Sequence, residues 1–310
     1  MHIMKLIENI AVIDIGSNTI RLLIGKFENG LIKRIYTDRA VTQLGKDIDN
    51  TRKLNKNSIE KSIEIIKKFK VMAEQFKSDL IIAIGTSALR EAKDRDFFCN
   101  KIKENTGLSV SIISGEEEAF FTLEGILTNL TYSINPVFAV DIGGGSTEWI
   151  YALNNDILKG SLNIGALKAF YNFFKGNDEK KAIIKFLNFI KDIISKNIPS
   201  LKTKTMIATG GTSITLAMMD LQISNYNTEI INGHRVSSNK LKQIIETISL
   251  TPYETRKKIA GILPDRVDII LPGLIILNSI VNYVEAEIII VSDYGLMEGV
   301  MKNYIKFCYN

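Results

Sequence analysis

Short β-branched runs alternate along the chain with longer stretches in which apolar residues recur every three or four positions. Ile10 to Ile13 is such a run, ending at Asp14-Ile15-Gly16-Ser17-Asn18. Ile20 to Phe27 reads as a second strand, and Asn29-Gly30 signals a hairpin into Leu31 to Tyr36. From Asn57 to Lys77 the spacing changes to helical. Ile59, Ile63, Ile66, Met72 or Ala73, and Phe76 make a stripe with lysines opposite, which predicts a helix with a solvated basic face. Leu80 to Ile84 and Val110 to Ile113 read as strands, and Ser87 to Glu104 and Glu116 to Leu127 as helices. Strands alternating with helices predict an α/β fold with a mixed sheet.

The second half repeats the opening. Val137 to Val140 is an apolar run ending at Asp141-Ile142-Gly143-Gly144-Gly145-Ser146-Thr147. Trp149 to Leu153 and Ile157 to Leu162 follow as strands around an Asn154-Asn155-Asp156 turn. Helical spacing predicts helices over 166–174 and 178–197, a strand at Thr205 to Ala208 and a helix from Ser213 to Met219. Glu287 to Val291 reads as a strand and Gly295 to Phe307 as a helix. The two Asp-Ile-Gly turns lie 127 residues apart, about one domain, and predict a duplicated domain. The division falls near Leu127 to Pro136, giving domains over 1–127 and 128–310. The terminal helix, near 295–308, has room to pack back on the first domain.

Composition narrows the possibilities. Apolar residues make up 45% and charged residues 24%, the balance of a globular protein, and five prolines exclude a proline-rich disordered chain. Lys and Arg number 39 against 34 Asp and Glu; the net charge of +5 suits an anionic ligand but is too dilute to imply nucleic acid. Cys99 and Cys308 form no disulfide framework and no zinc motif, so a reducing compartment is expected. The longest apolar stretch, Val267 to Val284, is interrupted by Asp268, Pro272 and Gly273, so no membrane span is expected. The first residues have no signal-peptide pattern, which makes the cytoplasm the expected location.

Gly, Ser and Thr after a strand let consecutive backbone N–H groups converge on phosphate oxygens. A carboxylate in the same place repels phosphate unless a divalent cation stands between them. Asp14 and Asp141 therefore point to a metal–phosphate ligand, although either turn alone is also readable as a plain hairpin. Glu148 follows on the strand after the second turn. Gly210-Gly211-Thr212 precedes a helix, whose N-terminus suits an anion; Thr212 or Ser213 is equally readable as its N-cap. In Glu116-Glu117-Glu118, Ser114 with Glu117 fits a capping box, and Glu118 points about 100° away from it. Arg90 has the fork geometry for phosphate, but a helix arginine near Glu91 and Asp94 is ordinarily a solvated ion pair. His234 has no catalytic or metal spacing around it and reads as a hydrogen-bonded structural histidine.

These blocks together resemble the exopolyphosphatase/guanosine pentaphosphate phosphohydrolase family, within the actin-like ATPase superfamily. The resemblance rests on Ile13-Asp14-Ile15-Gly16-Ser17-Asn18 with Arg21-Leu22, on Thr86 to Arg90, and on Ile112 to Ala119. It extends through Val140 to Glu148, Gly210-Gly211-Thr212, Asp265 to Asp268 with Leu271-Pro272-Gly273, and Val291 to Gly299. It implies two ribonuclease-H-like domains, mixed sheets flanked by helices, around an interdomain cleft holding the active site. It implies Mg²⁺-dependent removal of terminal phosphates from polyphosphate or guanosine pentaphosphate, with Glu118 as the base and Glu117 as its alternative. Ser17, Asn18, Arg21, Arg90, Gly143, Gly144, Gly145, Ser146, Thr147, Gly210, Gly211 and Thr212 would bind phosphate; Asp14, Asp141 and Glu148 would hold the metal. Long members carry a further C-terminal helical region, without which long-chain binding and the dimer built on that region are not expected to carry over. The chain is expected to act as a monomer or homodimer. A small-molecule kinase of the same superfamily and a non-catalytic regulator binding guanosine tetra- or pentaphosphate are the competing readings.

Overall fold

The computed structural model describes residues 9–28, 31–46, 48–129, 135–154 and 156–309, with side chains as far as residue 305. The expected Asn29-Gly30 turn, part of the Leu127–Pro136 linker, Asn155 and the side chain of Cys308 lie outside them. The chain divides into two units, Met1–Asn129 with Leu296–Asn310, and Leu130–Gly295.

The first unit is built on β1 (Asn9–Ile15), β2 (Thr19–Glu28), β3 (Leu31–Val41), β4 (Leu80–Gly85) and β5 (Val110–Ile112), in the order β3-β2-β1-β4-β5. β1 runs antiparallel to β2 and parallel to β4, and β4 runs parallel to β5. Six of the seven β1 residues are buried, as expected for a strand covered on both faces. The helices are α1 (Ile48–Thr51), α2 (Lys56–Gln75), α3 (Ser87–Glu91), α4 (Arg95–Thr106) and α5 (Gly115–Leu127). α2 starts at Asn55, whose side chain accepts from the Ser58 N–H, and buries Ile59, Ile63, Ile66, Phe69 and Ala73. Ile13, Ile15 and Leu22 pack with these residues and with Phe98 and Ile102 of α4 on one face of the sheet.

The helix expected over Ser87–Glu104 is two helices. Ala92 is extended, the Lys93 N–H donates to the Arg52 carbonyl (2.8 Å), and the Leu54 N–H donates to Asp94 Oδ1 (3.0 Å). These bonds to the 52–54 segment take the backbone out of the helical ladder.

The second unit has β6 (Val137–Ile142), β7 (Thr147–Leu153), β8 (Asp156–Leu162), β9 (Thr205–Thr209), β10 (Arg235–Ser237) and β11 (Ile288–Val291). Its order, β10-β11-β9-β6-β7-β8, reproduces that of the first unit, with β8-β7-β6-β9-β11 corresponding to β3-β2-β1-β4-β5 and β10 added at the edge. β6 is antiparallel to β7 and parallel to β9, which is parallel to β11. The helices are α6 (Ala166–Ala169), α7 (Glu179–Asn197), α8 (Gly210–Asp220), α9 (Thr228–Ile231), α10 (Ser238–Leu250), α11 (Tyr253–Arg256) and α12 (Ile270–Tyr283). The helix expected over 166–174 is α6 followed by a π-helical turn at Phe170–Phe174. α12, inside the apolar stretch from Val267, is buried almost all round and centres the core with Phe138, Phe186 and Leu241. No described helix is long and apolar enough to cross a membrane.

α13 (Leu296–Tyr309) belongs to the first unit, so the second unit ends at Gly295 rather than at residue 310. Leu296, Val300, Met301 and Ile305 pack with Ile10, Val12, Leu23 and Ile84 on the sheet face opposite α2. Glu298 is buried against Arg34 of β3, and Lys302 pairs with Glu124 of α5 (3.1 Å).

Candidate active site

Parallel strands bring their following loops to one edge of a sheet. In the first unit Ile15 pairs with Gly85 and Gly85 with Ile112, so three loops share the carboxyl end of β1, β4 and β5. They carry Gly16-Ser17-Asn18, Thr86 to Arg90, and Ser114 to Glu118. Open α/β sheets place ligands at such carboxyl edges.

The first turn is closed by the Gly16 N–H donating to the Thr19 carbonyl (3.1 Å). Asp14 is 2% exposed. It stands opposite Arg21 across β1 and β2, and Arg21 Nε donates to Asp14 Oδ2 (2.8 Å) while Nη2 lies 2.6 Å from the same oxygen. Arg21, expected to bind phosphate, is therefore also the counter-ion of Asp14. Asp14 Oδ1 and Asn18 Oδ1 are buried acceptors with no hydrogen-bond partner among the described residues. Unpaired buried acceptors call for a donor or a cation. Beside a phosphate, itself an acceptor, that means a metal ion or water.

The capping box at α5 is formed: Ser114 Oγ accepts from the Glu117 N–H (3.1 Å) and Glu117 Oε2 from the Ser114 N–H (2.7 Å). This commits Glu117 to the helix end. Glu118 turns inward, 7% exposed, and its Oε2 accepts from Arg90 Nη1 at 2.5 Å. Nη1 also donates to the Ile113 carbonyl (3.1 Å). Arg90 is thus the partner of the buried Glu118. Glu91 accepts from Ser87 Oγ, and Asp94 from the Leu54 N–H.

In the second unit the Gly143 N–H donates to the Ser146 carbonyl (3.0 Å), the counterpart of the Gly16–Thr19 bond in the first turn. Asp141 stands opposite Glu148 across β6 and β7, and opposite residues of an antiparallel pair share a face. Both are buried, Glu148 at 1% exposure, where its Oε1 accepts from Ser161 Oγ (2.7 Å). The carbonyls of Gly143 and Gly144 accept from the Ala166 and Lys168 N–H groups (2.9 and 3.0 Å), so α6 is stitched to the turn.

Asp141 also pairs with Thr209 across β6 and β9, which puts the third turn at the same edge. Gly210 has φ +83°, and a Cβ there would lie 2.3 Å from Asp141 Oδ1. The α8 cap is Thr209, not Thr212 or Ser213: Ser213 Oγ donates back to the Thr209 carbonyl (2.9 Å), and Gly273 of α12 packs on Thr212. His234 is the hydrogen-bonded histidine expected, 2.7 Å from Asp220 Oδ2.

Two cations at these turns escaped the sequence reading. The Arg266 guanidinium lies over Gly211, where a Cβ would meet Nη2 at 1.8 Å. Lys168 is buried on α6 with Nζ 2.5 Å from Asn163 Oδ1. Arg266 sits in the Asp265–Asp268 block already noted; nothing local marks Lys168.

Among the described residues no group of three or more His, Cys, Asp or Glu is placed to hold a metal ion. Within the second unit, the carboxylates that stand opposite each other are Asp141 and Glu148. Mg²⁺ ordinarily takes one or two carboxylates, keeps several waters and completes its shell with phosphate oxygens, so the pair fits it in number and donor type.

A repeated five-strand order, with glycine turns at the carboxyl edges, defines two mixed-sheet α/β domains flanked by helices, the actin-like ATPase fold. The chain belongs to the Ppx/GppA phosphatase family, whose family model matches residues 23–306. It is 30% identical to a bifunctional 3-dehydroquinate synthase/phosphatase of Fusobacterium nucleatum, over 93% of this chain and 45% of that protein. It is 25% identical to a putative exopolyphosphatase of Haemophilus influenzae, over 95% and 91%. It is 28% identical to a guanosine-5'-triphosphate,3'-diphosphate pyrophosphatase of Pseudoalteromonas translucida, over 97% and 60%. The chain therefore spans less than two thirds of two of these relatives. The crystal structure of the Aquifex aeolicus family member superposes with a TM-score of 0.82 at 29% identity, covering 97% of this chain and 98% of that one.

Proposed function

We propose that the chain hydrolyses the terminal phosphoanhydride bond of guanosine pentaphosphate or inorganic polyphosphate, with Glu118 as general base and Mg²⁺ as cofactor. The observation that carries the reading is the buried Glu118 carboxylate, oriented by Arg90 at 2.5 Å beside the first glycine turn. The names of the exopolyphosphatase and pyrophosphatase relatives support the substrate class.

Water attacks the terminal phosphorus, the bond to the bridging oxygen breaks, and Glu118 takes the proton from the water. Within the second unit, the Gly144 to Thr147 segment and Gly210 to Thr212 are assigned to phosphate oxygens through backbone N–H groups; within the first, Ser17 and Asn18 have the same assignment. Arg21 and Arg90 neutralise further oxygens. Asp141 and Glu148, opposite each other on β6 and β7, would hold the cation. When bound, Mg²⁺ supplies positive charge to the phosphate oxygens and the leaving group, much of what phosphoryl transfer needs.

Phosphate release from guanosine pentaphosphate, tripolyphosphate, long polyphosphate and ATP, side by side with Mg²⁺, tests the reading. Transfer of phosphate to an acceptor other than water favours the kinase. Binding of guanosine tetra- or pentaphosphate with negligible turnover favours the regulator.

A further inference from the structure

We propose that Tyr226 is the residue that receives the base of a purine nucleotide substrate, and so separates nucleotides from bare polyphosphate. The inference rests on the phosphatase reading above and adds to it a specificity element within the second unit.

Tyr226 lies between α8 and α9 and is 48% exposed. Its hydroxyl donates to Asp293 Oδ2 at 2.5 Å, and Thr228 Oγ1 donates to the same oxygen at 2.6 Å. The Asp293 N–H donates to Asn232 Oδ1 (3.0 Å), and Asn227 caps α9 by accepting from the Glu229 N–H (2.9 Å). A half-exposed side chain is thus held at its polar end on a segment fixed at several points. Pre-ordering of this kind lowers the entropy lost when a ligand settles on the ring.

The anchor leads to the third glycine turn. Asp293 is followed by Tyr294, whose carbonyl accepts from Thr209 Oγ1 (3.1 Å), and Thr209 is the α8 N-cap immediately before Gly210-Gly211. The Ser292 N–H donates to the Ala208 carbonyl (2.9 Å), one residue earlier on β9. A short path of hydrogen bonds and one peptide link therefore joins a half-exposed aromatic ring to the turn assigned to phosphate. Polyphosphate has no apolar face to offer that ring. A nucleotide carries both chemistries, phosphates for the turn and a flat base for the aromatic side chain. Base–aromatic stacking supplies roughly tenfold in affinity and tolerates different bases.

The test compares kcat/KM for guanosine pentaphosphate and for tripolyphosphate in the unaltered protein, Tyr226→Phe and Tyr226→Leu. The expected result is a nucleotide-to-tripolyphosphate ratio lowered about tenfold or more by Tyr226→Leu, but kept within about threefold by Tyr226→Phe, which retains the ring. Equal losses on both substrates, or an unchanged ratio in the leucine variant, overturn the assignment and leave the phosphatase reading standing. Failure of the unaltered protein to hydrolyse either substrate overturns the phosphatase reading itself. Inhibition of the unaltered protein gives a second measurement that needs no variant. Guanosine diphosphate is expected to inhibit tripolyphosphate hydrolysis about tenfold more tightly than pyrophosphate, and equal inhibition overturns the assignment.

Discussion

Arg21 and Glu148 occupy the same place in two copies of one hairpin: Arg21 stands opposite Asp14, and Glu148 stands opposite Asp141. Both turns are closed by the same N–H to carbonyl bond three residues apart. One copy thus pairs its aspartate with a guanidinium at 2.6 Å, and the other sets two buried carboxylates on one face. Like charges directly opposite on a sheet destabilise it by about 0.2–1 kcal/mol. The second copy sets that repulsion on one face, and the proposed divalent cation would relieve it.

Glu148→Gln should therefore separate folding from metal use. With chelator present, the variant should melt at the temperature of the unaltered protein or slightly above it, because the repulsion is gone. The rise in melting temperature on adding Mg²⁺ should disappear, and half-activation should need at least about tenfold more Mg²⁺. Full activity of the unaltered protein in excess chelator would refute the assignment of the pair.

Glu118→Gln should remove most turnover, about 10² to 10⁴-fold, with binding nearly intact, since the amide keeps the shape but cannot take the proton. A loss below about tenfold would move the role to Glu117, despite its engagement in the capping box. Arg90→Ala leaves a buried carboxylate without its guanidinium, and removing one partner of a buried pair is strongly destabilising. The double variant Arg90→Ala/Glu118→Ala should melt higher than Arg90→Ala alone, and a thermal-melt cycle over the four proteins measures it.

Gly210 and Gly211 are adjacent but constrained differently. At Gly210, φ of +83° disfavours any side chain, and a Cβ would press on Asp141 Oδ1. At Gly211 the obstacle is the end of a flexible arginine, Arg266. Gly210→Ala should cost about 1–2 kcal/mol from the left-handed conformation alone, and more with the contact. Gly211→Ala should cost less stability. Urea unfolding ranks the two, and the reverse order would show that Arg266 is rigidly held.

Much of this arrangement is legible in the sequence, because strands buried on both faces give short β-branched runs and the turns between them carry glycine and aspartate. The duplication shows directly in the repeated strings Asp14-Ile15-Gly16 and Asp141-Ile142-Gly143. The break at Ala92–Asp94 is hard to see, since alanine and lysine are good helix formers and the bonds to Arg52 and Leu54 come from a segment about 40 residues earlier. α12 does not show either: a helix buried almost all round has no polar face and hence no period of 3.6. Sequence places Arg90 and Glu118 each after a strand, but their pairing depends on β4 and β5 lying side by side. Lys168 becomes visible as a neighbour of the turn only through its backbone bond to Gly144.

The attachment of α13 to the first unit has its own test. A Cβ on Gly299 would lie 1.7 Å from the Phe121 carbonyl oxygen of α5, so the two helices meet backbone to backbone there. Gly299→Ala cannot be absorbed by moving a side chain, and overpacking of a tight contact typically costs about 1–3 kcal/mol. The variant should melt several degrees lower, and an unchanged melting temperature would mean that α13 packs more loosely.

Substrate length is the remaining question, and charge decides the expectation. Polyphosphate carries roughly one negative charge per unit, so gripping a long chain needs a basic track far beyond the reacting end. A net charge of +5 spread over 310 residues makes no such track evident. Two of the arginines near the turns have close carboxylate partners, Arg21 on Asp14 and Arg90 on Glu118, and Arg266 lies over Gly211. These groups suit a few phosphates near the scissile bond. Guanosine pentaphosphate and short polyphosphates should therefore be handled at least as efficiently as chains of hundreds of units. Arg90→Ala should lower efficiency on short and long substrates alike, because the proposed reading puts Arg90 beside the base at the reacting end. Catalytic efficiency measured against chain length at fixed salt, and then at raised salt, provides the check. A steep rise toward long chains that fades as salt screens it would refute the expectation and reveal an extended basic surface.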